Sequence, residues 1–86
     1  MMIIISKQTV LKVGFEAALL YGVFQTKQIG DKPQLWSVPE MEEETTLSKY
    51  QLRKAIAALE TAGLIETKLI GSPPIRRIDL KGAQTA

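Results

Sequence analysis

Residues 46–80 constrain this chain most, because three local signals follow one another without a gap. Ser48 and Gln51 have capping-box spacing, which starts a helix. Leu52, Ala55, Ile56, Leu59 and Ala62 then recur at helical spacing, so a helix over 48–62 buries one stripe. Gly63 supplies the left-handed residue that ends it. Leu64–Ile70 and Ile75–Leu80 follow as two strands about Gly71-Ser72-Pro73-Pro74. A loop over 71–74 sets 70 opposite 75, 68 opposite 77, 66 opposite 79 and 65 opposite 80. Glu66, Lys68, Arg77 and Asp79 then share one face, and Ile65, Leu69, Ile78 and Leu80 share the face that can enter a core. Arg76 lies on that inner side but near the free tip.

Upstream, Phe15–Lys27 reads as helix. Phe15, Ala18, Leu19, Gly22 and Val23 form one apolar face, while Ala17, Leu20, Tyr21 and Phe24 cover much of the opposite one. A helix apolar nearly all round must be covered on two sides. In so short a chain the second face is a candidate dimer surface, centred on Leu20 and Phe24 and joined by Ile3 and Ile5 of a short β-branched strand, Ile3–Ile5. Residues 29–35 read as a loop and Trp36-Ser37-Val38 as a short strand. Ser37 and Glu40 form a second capping-box pair that opens a short helix over roughly 38–45. Glu40, Glu42, Glu43 and Glu44 sit on that helix as a solvated face favoured by its dipole.

Composition narrows the chemistry. The 86 residues make one domain, 1–80, with 81–86 as a flexible tail. The chain has no cysteine and no histidine, so it lacks a disulfide, a thiolate site, the commonest general base and the commonest metal ligand. No enzyme, cofactor or metal is expected. Met1-Met2-Ile3-Ile4-Ile5 is too short for a secretory apolar region, and nothing approaches a membrane span, so a cytoplasmic protein with no membrane partner is expected. The net charge of +2 is unevenly spread. Residues 33–45 carry only the four glutamates, whereas 46–77 set Lys49, Arg53, Lys54, Lys68, Arg76 and Arg77 against Glu60 and Glu66. The second segment favours a polyanionic partner.

Counting about 100° per residue from Leu52, Tyr50 and Lys54 face away from the core stripe and Arg53 lies on the flank. Arginine can pair bidentately with guanine, while lysine more often serves as a point charge for phosphate. Each residue also has a plainer reading. Gln51 can be only the partner of Ser48, Tyr50 can be a core edge, and the Lys68–Arg77 pair can be relieved by Asp79 and Glu66 instead of by phosphate. Ala57 and Ala58 leave the later turns of the helix without positive charge.

Residues 14–80 resemble the winged helix-turn-helix domains of phage and plasmid replication initiators and of DnaD-type replisome organisers of Gram-positive bacteria. The resemblance is carried by Gly14-Phe15-Glu16-Ala17-Ala18-Leu19-Leu20, by Trp36, and by Met41-Glu42-Glu43-Glu44-Thr45-Thr46-Leu47-Ser48. Its strongest piece is Leu52-Arg53-Lys54-Ala55-Ile56-x-x-Leu59-Glu60-x-x-Gly63-Leu64-Ile65-Glu66, shared also with MarR-like and GntR-like repressors. With the short N-terminal strand read above, it implies a mostly helical α+β fold of three helices and a C-terminal β-hairpin wing. It also implies double-stranded DNA as partner and a role in transcription or replication control on a mobile element, and a homodimer is expected from the apolar second face of Phe15–Lys27. Ser48, Lys49, Gln51, Arg53 and Lys54 match recognition-helix positions, and Lys68, Arg76 and Arg77 match wing positions. Many relatives have glycine where Thr46 stands, and a left-handed turn would strain a threonine there. The matching stretch covers only the winged-helix part of such organisers, so helicase recruitment is not implied. The rival reading is a winged helix that serves protein–protein contact or self-assembly, its basic helix merely solvated.

Overall fold

A helix over Phe15–Lys27 lies at the centre of the fold, and the other elements are wrapped round it. The computed structural model describes residues 5–30, 32–72 and 75–81. In chain order the described elements are α1 (Lys7–Val13), α2 (Phe15–Lys27), β1 (Gln34–Trp36), α3 (Val38–Thr45), α4 (Lys49–Thr61), β2 (Ile65–Ile70) and β3 (Ile75–Leu80). The strands form one antiparallel sheet in the order β1-β3-β2. The fold is thus α+β and mostly helical, with one helix more than the sequence led us to expect.

α2 packs against α1, α3 and α4. Ala17, Leu20, Tyr21, Val23 and Phe24 are all buried, and the Phe24 ring meets Trp36 of β1 in a tilted pair with centroids 5.7 Å apart. The expectation that Leu20 and Phe24 form a dimer face is not met, since both side chains are enclosed within the single chain at 0% exposure. The apolar girth of α2 is covered by its own neighbours. Phe15, placed on the buried face by periodicity, is instead exposed, because it is the first residue of the helix.

α1 was not foreseen. Ser6 caps it, its hydroxyl accepting the Thr9 N–H, and Gly14 ends it at a φ of 92°. Thr9, Val10 and Val13 are β-branched and seven residues are few, so propensity alone hardly supports a helix. Packing on α2 and α4 supplies what propensity lacks. The expected strand at Ile3–Ile5 falls largely outside the described residues, Ile3 included; Ile5 is half-buried and not in a strand.

β1 lies two residues earlier than the reading of Trp36-Ser37-Val38. Ser37 cannot extend a strand because it caps α3, its hydroxyl accepting from the Glu40 N–H. Gln34, expected in a loop, fixes β1 to the end of α2. Its amide donates to the Phe24 carbonyl at 2.7 Å and its oxygen accepts from the Trp36 indole N–H at 2.8 Å.

The hairpin register is the expected one, from Ile65 opposite Leu80 to Ile70 opposite Ile75. Ile65 and Ile78 are buried and Leu80 packs against the core. Leu69 does not enter it, at 62% exposure, because that end of the hairpin runs beyond the helices. Gly63, at φ 76°, closes α4 in a Schellman arrangement. The Leu64 N–H reaches the Leu59 carbonyl and the Gly63 N–H reaches that of Glu60, both at 3.0 Å. Lys81, assigned to the tail, is tied down instead. Its N–H donates to the Leu64 carbonyl at 2.8 Å and its ammonium pairs with Glu66 at 3.4 Å. Residues 82–86 lie outside the described residues. No described helix is long and apolar enough to cross a membrane.

The Tyr21 hydroxyl is buried without a hydrogen-bond partner among the described residues, and burial raises its pKa above the ordinary phenol value. An unfolded chain releases this proton near pH 10, whereas the folded chain keeps it to higher pH. The associated stability is therefore complete below the ordinary phenol pKa and is lost as pH rises through the folded value. Tyr21→Phe is expected to raise stability by about 1 kcal/mol at neutral pH, since it removes an unsatisfied buried group. It should also flatten the decline of stability above about pH 10. Denaturant unfolding of both proteins across that range checks the two effects together.

Candidate nucleic-acid interface

The helix that carries the candidate residues is held at its start by reciprocal hydrogen bonds. The Ser48 hydroxyl accepts the Gln51 N–H at 3.2 Å, and the Gln51 side-chain oxygen accepts the Ser48 N–H at 2.9 Å. The other end of the same side chain donates to Glu16 of α2 at 2.6 Å. Gln51 is thus engaged at both ends and cannot read a base without giving up a cap and an interhelix bond. Ser48 is likewise a capping residue. Glu16 had no local signal, because its partner is 35 positions away in sequence.

Three residues, Thr46-Leu47-Ser48, separate α3 from α4. The buried Thr45 hydroxyl donates to the Met41 carbonyl at 2.6 Å and accepts the Leu47 N–H at 3.2 Å, which fixes the turn from inside. Thr46 takes the left-handed conformation, φ 61° and ψ 11°. Its hydroxyl bonds to the Thr45 carbonyl. At the far end of α3 the same capping geometry recurs. Hydrogen bonds from the Ser37 backbone and hydroxyl region hold the Glu40 carboxyl below its usual range.

With Leu52, Ala55, Ile56 and Leu59 buried, the rotation of α4 is settled and Lys49, Tyr50, Arg53 and Lys54 face solvent. Tyr50 is 66% exposed, so it is not a core edge. Lys54 lies over its ring with the ammonium 5.3 Å from the centroid, one turn on. Among the described residues Lys49 and Arg53 have no ion pair or hydrogen bond through their charged groups, and Lys54 has only the Tyr50 ring. Three cations in the first two turns of one helix therefore share no carboxylate.

The hairpin divides its cations between two faces. Lys68 and Arg77 stand opposite each other on the outer face, beside Leu35 of β1. The repulsion is relieved from within the chain, because Arg77 pairs with Asp79 at 3.5 Å. Arg76 points the other way, toward the helices. It is not loose at the tip but half-buried, and its guanidinium donates to the Thr67 hydroxyl at 3.0 Å. That hydroxyl donates in turn to Glu60 of α4 at 2.8 Å. Thr67 and Glu60 were not singled out from sequence, although the register that pairs Thr67 with Ile78 already put it on the inner face. Arg76, Lys49 and Arg53 together line a cleft of about 280 Å³ between α3, α4 and the sheet.

The nine candidate residues thus fall into three sets. Lys49, Tyr50, Arg53 and Lys54, with Arg76 across the cleft, form one basic surface. Lys68 and Arg77 occupy the opposite face of the hairpin. Ser48 and Gln51 hold the helix. Among the described residues no group of three His, Cys, Asp or Glu could hold a metal ion. Comparison with protein-family models, with curated proteins and with solved structures finds no match to this chain.

A β-branched residue in the left-handed region costs roughly 1–3 kcal/mol. Thr46→Gly is expected to stabilise the fold by about 0.5–1 kcal/mol once the flexibility of glycine in the unfolded chain is set against that strain. The denaturant midpoint should rise with an unchanged slope. A lower midpoint would mean that the Thr46 hydroxyl bond outweighs the strain.

Proposed function

We propose that this chain is a winged helix-turn-helix protein that binds double-stranded DNA through the start of α4. The observation that carries the reading is the set of exposed cations Lys49, Arg53 and Lys54, which have no carboxylate partner among the described residues and stand on a helix whose opposite face is the core. A helix about 10–12 Å across fits a major groove about 12 Å wide. The order of elements from α2 onward supports the fold assignment: a helix, a short strand, two helices joined by a three-residue turn, and a hairpin whose second strand pairs with the short one. α1 stands outside that pattern as an addition.

In this reading Arg53 and Lys54 supply base-edge and phosphate contacts, Tyr50 donates to phosphate, and Lys49 follows the groove wall. Arg76 extends the contact toward the hairpin, and Lys68 reaches phosphate only where the duplex passes the hairpin's outer face. Arg77 contributes less, since Asp79 already neutralises part of it. A cytoplasmic role in transcription or replication control on a mobile element accords with the resemblance over residues 14–80.

A second reading has its own observation. Leu11 and Phe15 are 77% and 61% exposed at the α1–α2 junction, an apolar pair four positions apart. Self-assembly through that junction would replace the dimer face first placed on Leu20 and Phe24. Fluorescence anisotropy on a mixed-sequence duplex, together with sedimentation, separates the two. Under the DNA reading the parent binds, and Arg53→Ala combined with Lys54→Ala weakens binding about 10–100-fold with the oligomeric state unchanged. A parent that assembles yet has no duplex affinity would favour the second reading.

A further inference from the structure

DNA binding leaves one feature of the basic surface unused. Phosphates can satisfy Lys49, Arg53 and Arg76, but the cleft those residues surround has an apolar wall, with Val38 and Ala57 exposed on it and the buried Met41 and Ile56 beneath. We propose that this cleft binds a small organic acid, one carboxylate on a short aliphatic chain or a single ring, and that its occupancy displaces DNA; the second half rests on the DNA-binding reading.

The cations are gathered by the fold. Lys49, Arg53 and Ala57 recur every four residues along α4 and so share the face turned to the sheet. Arg76 comes from the inner face of β3, where its row holds Trp36 on one side and Leu69 on the other. Its guanidinium is oriented in advance. The Thr67 hydroxyl gives its proton to Glu60 and so offers a lone pair to one Arg76 N–H, leaving the other donors of the fork free. Glu60 is the carboxylate among the described lining residues, and it is already engaged by Thr67. The charge about the cleft is therefore positive and partly organised.

The class of ligand follows from the mixture. Inorganic phosphate would meet the cations and leave Val38 and Ala57 facing water. A neutral hydrocarbon would cover that wall and leave the cations uncompensated. An acid with an apolar body does both, and a carboxylate matches the arginine fork. At about 280 Å³ the cleft lies at the small end of ligand sites, which fits a compact acid better than a nucleotide. Because Lys49, Arg53 and Arg76 would also serve phosphate, the acid and the duplex compete for the same charges.

The test is a titration of octanoate, below its micellar range, into the methyl-labelled full chain. The site predicts saturable shifts of the Val38, Met41 and Ile56 methyl signals. Acetate, which lacks the body, and octylammonium, which carries the wrong charge, should give none. Arg53→Ala should weaken binding roughly tenfold or more. Ala57→Glu, at an exposed helical position that tolerates glutamate, should abolish it with the helix content unchanged. Shifts that do not saturate, that centre on Leu11 and Phe15, or that octylammonium reproduces would overturn the site. Anisotropy then reads the competition: octanoate should release a bound duplex with the half-saturation seen by the methyl signals. Saturated methyl signals with the duplex still bound would overturn the displacement alone. Absence of any duplex binding would defeat the DNA reading, and the methyl titration would still decide the cleft.

Discussion

Ala17, Leu20, Tyr21, Val23 and Phe24 of α2 are almost wholly removed from water, and the placing of every other element answers to that burial. A helix with apolar residues nearly all round cannot rest on a single layer. α1, α3 and α4 cover it from different sides, and Trp36 of β1 closes over Phe24. Each fully buried side chain of this size is worth about 1.5–3 kcal/mol relative to exposure, so the arrangement outweighs weak local preferences such as those of α1. The same burial removes Leu20 and Phe24 from any surface a partner could reach.

The face proposed to bind DNA is a consequence of that core. The stripe Leu52, Ala55, Ile56 and Leu59 seats α4 against α2, and the Gln51 amide, bonded to Glu16, fixes its rotation at the first turn. Once both are in place, Lys54 faces outward and Lys49 and Arg53 lie on the flank beside the sheet, all three exposed. The Thr45 hydroxyl and the left-handed Thr46 set how α4 departs from α3. Backbone strain at Thr46 sits beside the capping residue of the helix we assign to DNA, in a position where strain has a clear structural reason: only a tight reversal brings Ser48 round to start α4.

Elements with strong local chemistry were legible in the sequence. Both capping boxes, the Gly63 stop and the hairpin register follow from residues within a few positions of one another, and all are found. What could not be read depends on contacts distant in the chain. Ser6 and Gly14 flank Lys7–Val13 as cap and stop, but the β-branched residues between them favour helix little, and α1 exists by packing on α2 and α4. Gln34 acquires its role only where β1 meets the end of α2. Arg76 and Arg77 are neighbours in sequence, yet the strand pleat sends one to Thr67 and the other to Asp79. The basic character of α4 was visible from composition, whereas the cleft of mixed charge and apolar lining beside it required the sheet to be folded against the helix.

The central claim is that the exposed charges of α4 and the hairpin neutralise phosphates. Its most direct test is the affinity for a mixed-sequence duplex, measured by anisotropy from low to physiological salt. Each neutralised phosphate contributes about −0.9 to the slope of log affinity against log salt, so three to five contacts predict a straight line of slope about −3 to −5. A slope near zero, or no binding at the lowest salt, would contradict the account and leave α4 as a solvated helix face.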